Sequence, residues 1–130
     1  MSIDRRMVSG APAPGGCYSH AVVHGGLVYC AGQTGVDPET GSVRVGVEEQ
    51  TRQALNNLSV VLQEVGSNLE SVIQARVFLQ DFGDFTAMDG VFQEFFDQHK
   101  PARTTVPCIG FPELVKVEID AIAALEEPKT

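Results

Sequence analysis

Two residues near the end of the chain could act together on one small acid. Arg103 stands in the run PARTTV, directly after Pro101-Ala102, and Glu118 interrupts an apolar alternation in VEIDAIA. A guanidinium presents a planar fork that grips a carboxylate through two parallel hydrogen bonds. A carboxyl group held nearby can orient and polarise a water for attack. Each residue also has a plainer reading. Arg103 can be a surface cation, and Glu118 one charge on a solvated sheet face. Spacing and residue type alone leave both readings open.

The elements that must carry these residues are strands and helices in alternation. A last strand is expected at Val115–Ala123, with Val115, Val117, Ile119, Ala121 and Ala123 on one face. Lys116, Glu118, Asp120 and Ile122 take the other face. The strand before it is expected to begin at about Arg103. Upstream, residues 1–16 read as an irregular lead-in with Pro12, Pro14 and the Gly15-Gly16 pair. YSHAVVH and LVYCAGQ flank Gly25-Gly26, a two-residue hairpin signal between β-prone runs. VDPETGS reads as a turn, and a short strand is expected near Val43–Val45.

From Val47 the period changes. Val47, Thr51, Ala54, Leu55, Leu58, Val61, Leu62 and Val65 recur at helical spacing, and Gly66 stands where a C-terminal glycine belongs. A strand follows at 72–79, with Ile73, Ala75, Val77 and Leu79 assigned to one face. Asp84 is expected to cap a second helix whose buried side is Phe85, Met88, Phe92, Phe95 and Phe96, with Pro101 as its stop. The tail EEPKT is expected to fray. The layout is a mixed α+β sheet, within one domain of 130 residues. If both helices lie on one face, the other is bare, and an apolar bare face would call for association between copies.

Five segments in order resemble the RidA/YjgF family of reactive-intermediate deaminases. They are APAPGGCYSHA, AGQTGVDPETG, the helix EEQTRQALNNLSVVLQEVG, RVFLQDFGDFTAMDGVFQEFF, and PARTTV followed by VEIDAIA. The resemblance covers nearly the whole chain and implies a chorismate mutase-like fold, a six-stranded mixed sheet with two helices on one face. It further implies a homotrimer with ligand clefts between subunits. The implied activity is hydrolysis of 2-imino or enamine acids to 2-oxo acids and ammonia, without cofactor or metal. On this resemblance Arg103 would clamp the substrate carboxylate and Glu118 would orient the water. Tyr18 would line the pocket, from the adjacent subunit if need be, and backbone groups of Gly32 and Thr105 would contact the ligand. Tyr18 can also be a packed aromatic with a hydrogen-bonded hydroxyl, and Gly32 a strand glycine permitting close approach. The chain departs from the family pattern at Cys17, His20, Asp89 and the segment Pro107–Phe111, which together alter the pocket wall.

Other functions fare less well. A net charge of −8, with nine Lys and Arg spread along the chain, makes a phosphate backbone a poor partner. That weighs against the ribonuclease or translation-inhibitor role attached to some relatives. A trimer that binds a small carboxylic acid without turning it over is the remaining alternative. Three widely spaced cysteines do not form a disulfide framework. Cys17, His20 and His24 give C-x2-H-x3-H, but a strand would turn Cys17 away from the two histidines. Cys30 reads as packing and Cys108 as an inert thiol. The N-terminal residues lack the apolar core of a secretory signal, so a cytoplasmic address is expected.

Overall fold

Gly25 and Gly26 both adopt positive φ (61° and 81°), the twist that a two-residue hairpin needs and that glycine takes without steric cost. They join β2 (Ala21–His24) to β3 (Leu27–Thr34) in the hairpin read from the sequence. In the computed structural model, which describes residues 2–126, the remaining elements are β1 (Asp4–Arg6), α1 (Val47–Glu64), β4 (Val72–Leu79), α2 (Phe85–Phe96), β5 (Ala102–Pro107) and β6 (Val117–Ala124). The expected fraying of EEPKT falls mostly on residues 127–130, outside those described.

The six strands form one sheet in the order β1-β2-β3-β6-β4-β5. Strand β6 lies antiparallel between β3 and β4, so those two run parallel to each other; β4 and β5 are paired in parallel. Parallel strands need a long crossover, and α1 and α2 are those crossovers. Both helices cover one face. Leu55, Leu58 and Leu62 of α1 and Met88, Phe92 and Phe96 of α2 join Val77, Leu79, Val117 and Ile119 in the same buried core.

Helix α1 ends as its sequence foretold. Gly66 (φ 90°) donates to Gln63 O and Ser67 N donates to Leu62 O at 2.8 Å, a paired closure of the last turn. Two polar side chains on its inner face are buried and fully engaged. Gln50 Nε2 donates to Arg44 O and to Leu114 O, both at 2.9 Å, while its Oε1 accepts from Lys116 N at 2.8 Å. Asn57 Nδ2 donates to Thr34 O and Val36 O. The helix sits close enough that a Cβ on Gly35 would lie 2.5 Å from Gln50 Cα. Because that obstacle is backbone, Gly35→Ala is expected to destabilise the protein by about 3 kcal/mol in denaturant titration.

Four expectations need correction. The lead-in contains β1, whose Arg5 pairs with Val22; the triplet DRR has no apolar alternation to announce a strand. Val43–Val45 forms no strand beyond a single bridge between Val36 and Val43. Ile73 does not face the core. A register shift between Val72 and Gln74 turns Val72 and Ala75 inward and leaves Ile73 half-exposed. Asp84 holds the N-cap position of α2 without a side-chain capping bond, and it is Asp81 that accepts from Gly83 N, at 2.8 Å, in the 3-10 turn before the helix.

Candidate functional site

Arg103 rises from β5 toward α2. Its Nη1 donates to Asp89 Oδ1 at 2.7 Å. Its guanidinium carbon lies 4.7 Å from the ring centre of Phe92 and 5.4 Å from that of Phe85. Phe85, Asp89 and Phe92 are four and three residues apart, so they form one stripe on α2. Ring faces are electron-rich, and two of them beside a cation hold it in place as well as attract it. The arginine is largely covered, its side chain 19% exposed. It borders a cleft of about 470 Å3 shared with Phe96, Lys100 and Pro101. The neighbouring cation, Lys100, is turned to the end of α2, where its Nζ donates to Asp97 O at 2.6 Å. Thr105, two residues along β5, shares the side of the strand that carries Arg103.

Glu118 occupies a different surface. It alternates with buried Val117 and Ile119 on β6, so it projects from the sheet face away from the helices. Its backbone pairs with Thr34 on one side and Phe78 on the other. The carboxyl group fills the space that a side chain at residue 32 would need: a Cβ on Gly32 would come 2.9 Å from the Glu118 carboxyl carbon. Gly32 itself lies in an irregularity of β3, where pairing with β6 shifts between Cys30 and Gln33. Burial, and then the nearby charge of Asp120, raises the Glu118 pKa above the ordinary carboxylate range. Asp120 is bound to Arg76, with Nη2 to Oδ2 at 2.6 Å.

Tyr18 lies on the loop before β2, about half-exposed, and its hydroxyl accepts from Gly15 N at 3.1 Å. That loop is held by His20, whose Nδ1 accepts from Val8 N at 2.8 Å and whose Nε2 donates to Pro12 O at 2.7 Å. Both ring nitrogens are thereby engaged in structure. Among the described residues no three His, Cys, Asp or Glu side chains are grouped so as to hold a metal ion. Cys30 is packed as expected; burial pushes its thiol up to about 12.

Apart from Tyr18, the predicted site residues therefore fall into two groups within a chain. Gly32 and Glu118 adjoin on the open face of the sheet. Arg103 and Thr105 stand on the edge strand, with Arg103 turned to the helix side. Arg103 and Glu118 do not stand on neighbouring strands of the sheet, because β4 lies between β5 and β6. Tyr18 precedes β2, four strands from β5, which is roughly 19 Å across the sheet at ~4.8 Å per strand. In the sequence Asp89 reads only as a departure from the family pattern, with no partner assigned to it; the structure pairs it with Arg103. The signal was the Phe85–Asp89–Phe92 stripe, which a helix between β4 and β5 would turn toward the β5 edge.

A mixed six-stranded sheet under two crossover helices, with a sequestered arginine at one edge and a half-buried glutamate on the open face, places the chain in the α+β class. Residues 8–125 match the family described as Endoribonuclease L-PSP, and the chain belongs to that family, the RidA/YjgF proteins its motifs resemble. A RutC family protein of Pyrococcus horikoshii is 42% identical over 117 residues, covering 89% of this chain and 93% of that one. A protein of Capra hircus named 2-iminobutanoate/2-iminopropanoate deaminase is 39% identical over 125 residues, covering 94% and 91%. The crystal structure of the YjgF gene product from E. coli superposes with a TM-score of 0.88 at 33% identity, covering 93% of this chain and 98% of that one.

Proposed function

We propose that this protein is a cofactor-independent deaminase that hydrolyses 2-imino acids to 2-oxo acids and ammonia. In this reading the chain works as a homotrimer. Arg103 and Thr105 of one subunit meet Tyr18, Gly32 and Glu118 of the next across a cleft. The observation that carries it is the state of Arg103. Its guanidinium is fixed between two rings and one carboxylate at the border of a cleft, with Nε and Nη2 free of hydrogen-bond partners among the described residues. That free edge is the one a carboxylate grips side-on. The named deaminase of Capra hircus points the same way, and the acidic balance of the chain weighs against an RNA substrate.

The chemistry asks little of the protein. A protonated imine carbon is already electrophilic, so anchoring the acid end and aiming a water supply much of the rate. Glu118 takes a proton from the water as its oxygen bonds to the imine carbon. The resulting carbinolamine receives that proton on nitrogen, its hydroxyl returns a proton to the Glu118 carboxylate as the C–N bond breaks, and ammonia leaves while the carbon becomes a ketone. A carboxyl group whose pKa is raised by burial is a stronger base than a free one, which suits Glu118 to the first step and, once protonated, to the second.

The direct test couples the protein to a threonine or serine dehydratase and follows disappearance of the imine intermediate. Acceleration over the buffer rate is the expected result. Wild-type protein that binds a 2-oxo acid in calorimetry without accelerating imine loss would instead leave a ligand-binding trimer.

A further inference from the structure

We propose that Asp89 is a built-in counter-ion that aims Arg103 and limits how tightly the site holds an acid. This rests on the deaminase reading and adds to it a residue that governs ligand release.

Asp89 takes one terminal nitrogen of the guanidinium, Nη1, at 2.7 Å. With Phe92 and Phe85 beside the group, this bond restrains its rotation and leaves Nε and Nη2 as a pair without hydrogen-bond partners among the described residues. An arginine without that anchor would present its fork in several orientations. Asp89 thus supplies geometry, and an uncharged acceptor of the same shape would supply it equally. The charge is a separate matter. Asp89 is 46% exposed, and the nearby Lys100 is committed to Asp97. An acid entering the cleft therefore meets an ion pair rather than a bare cation.

Substrate and product of the proposed reaction carry the same carboxylate, so any grip on one is a grip on the other. Tight binding of the acid end would slow product departure without lowering the barrier to water attack, because the carboxylate is unchanged between ground and transition states. A fixed negative charge behind the guanidinium offsets part of that uniform attraction while leaving the orientation intact. Removing one charge about 6 Å from the ligand, in a partly exposed site, corresponds to roughly three- to tenfold in affinity.

The experiment is calorimetric titration of 2-oxobutanoate into wild type, Asp89→Asn and Asp89→Ala at low and high salt. Circular dichroism establishes that each variant is folded. Asp89→Asn is expected to bind three- to tenfold more tightly than wild type and to lose affinity more steeply as salt rises, since its site carries a net charge. Its KM in the coupled assay should fall in parallel, and inhibition by 2-oxobutanoate should deepen. Asp89→Ala, which lacks the acceptor as well, should bind less tightly than Asp89→Asn and show a lower kcat. If wild type binds the acid and Asp89→Asn binds it no better, with the same salt slope, the counter-ion role is refuted and the deaminase reading stands. If Asp89→Asn gains affinity but neither protein accelerates imine loss, the deaminase reading fails and the counter-ion role stands. If none of the three binds the acid, the counter-ion role falls, and the coupled assay alone decides the deaminase reading.

Discussion

Arg103→Ala is expected to lower kcat/KM for imine hydrolysis about a hundredfold, and Glu118→Ala about a thousandfold, yet the two defective chains should recover activity when assembled together. The first figure is that of a desolvated charge-assisted anchor, the second that of a positioned general base. Recovery follows from the separation of the two residues, on opposite sides of the sheet with β4 between their strands. A cleft using both side chains then draws them from different subunits. In a trimer that carries both variants, about one cleft in three would pair an intact Arg103 with an intact Glu118. Co-expression with two distinguishable tags, tandem purification and the dehydratase-coupled assay measure this. Mixed assemblies as inactive as either parent would rule out a shared cleft.

The second large effect is on pH dependence. Glu118 must be ionised to accept a proton from water, so kcat/KM should fall as pH drops through its folded-state pKa. Burial first, and Asp120 second, lift that pKa, so the acid limb of the profile should lie above the range of an ordinary glutamate. Asp120→Asn removes the second cause and should move the limb to lower pH while leaving most of the rate at neutral pH. Glu118→Gln should abolish the limb together with roughly a thousandfold of the rate. A limb that persists unchanged in Glu118→Gln would assign it to another group.

The sequence made some of this legible because the relevant forces are local. Helix α1 announces itself by apolar spacing and by Gly66 at its end, and β6 by strict alternation, which put Glu118 on the face opposite Ile119. The orientation of β5 was not legible. Ala102–Pro107 has no apolar alternation, and none of its residues is fully buried, so nothing in PARTTV says which way Arg103 points. That is settled by the crossover through α2, which brings Asp89 and Phe92 over the edge strand. The inward turn of Val72 and outward turn of Ile73 were hidden for a related reason: a bulge changes the parity of a strand without changing its composition. Strand β1 is held by backbone pairing at the sheet margin, and three polar residues give no periodicity from which to infer it.

Gln50 has a consequence for how this scaffold can diverge. Its amide joins the stretch before α1 to the stretch before β6, and all three of its bonds go to main-chain atoms of Arg44, Leu114 and Lys116. A clasp on main-chain atoms is indifferent to which side chains those positions carry. The loop between β5 and β6, which holds most of the Pro107–Phe111 departure from the family pattern, can therefore be rewritten by mutation while its C-terminal end stays moored. New ligand preferences can arise there at little risk to folding.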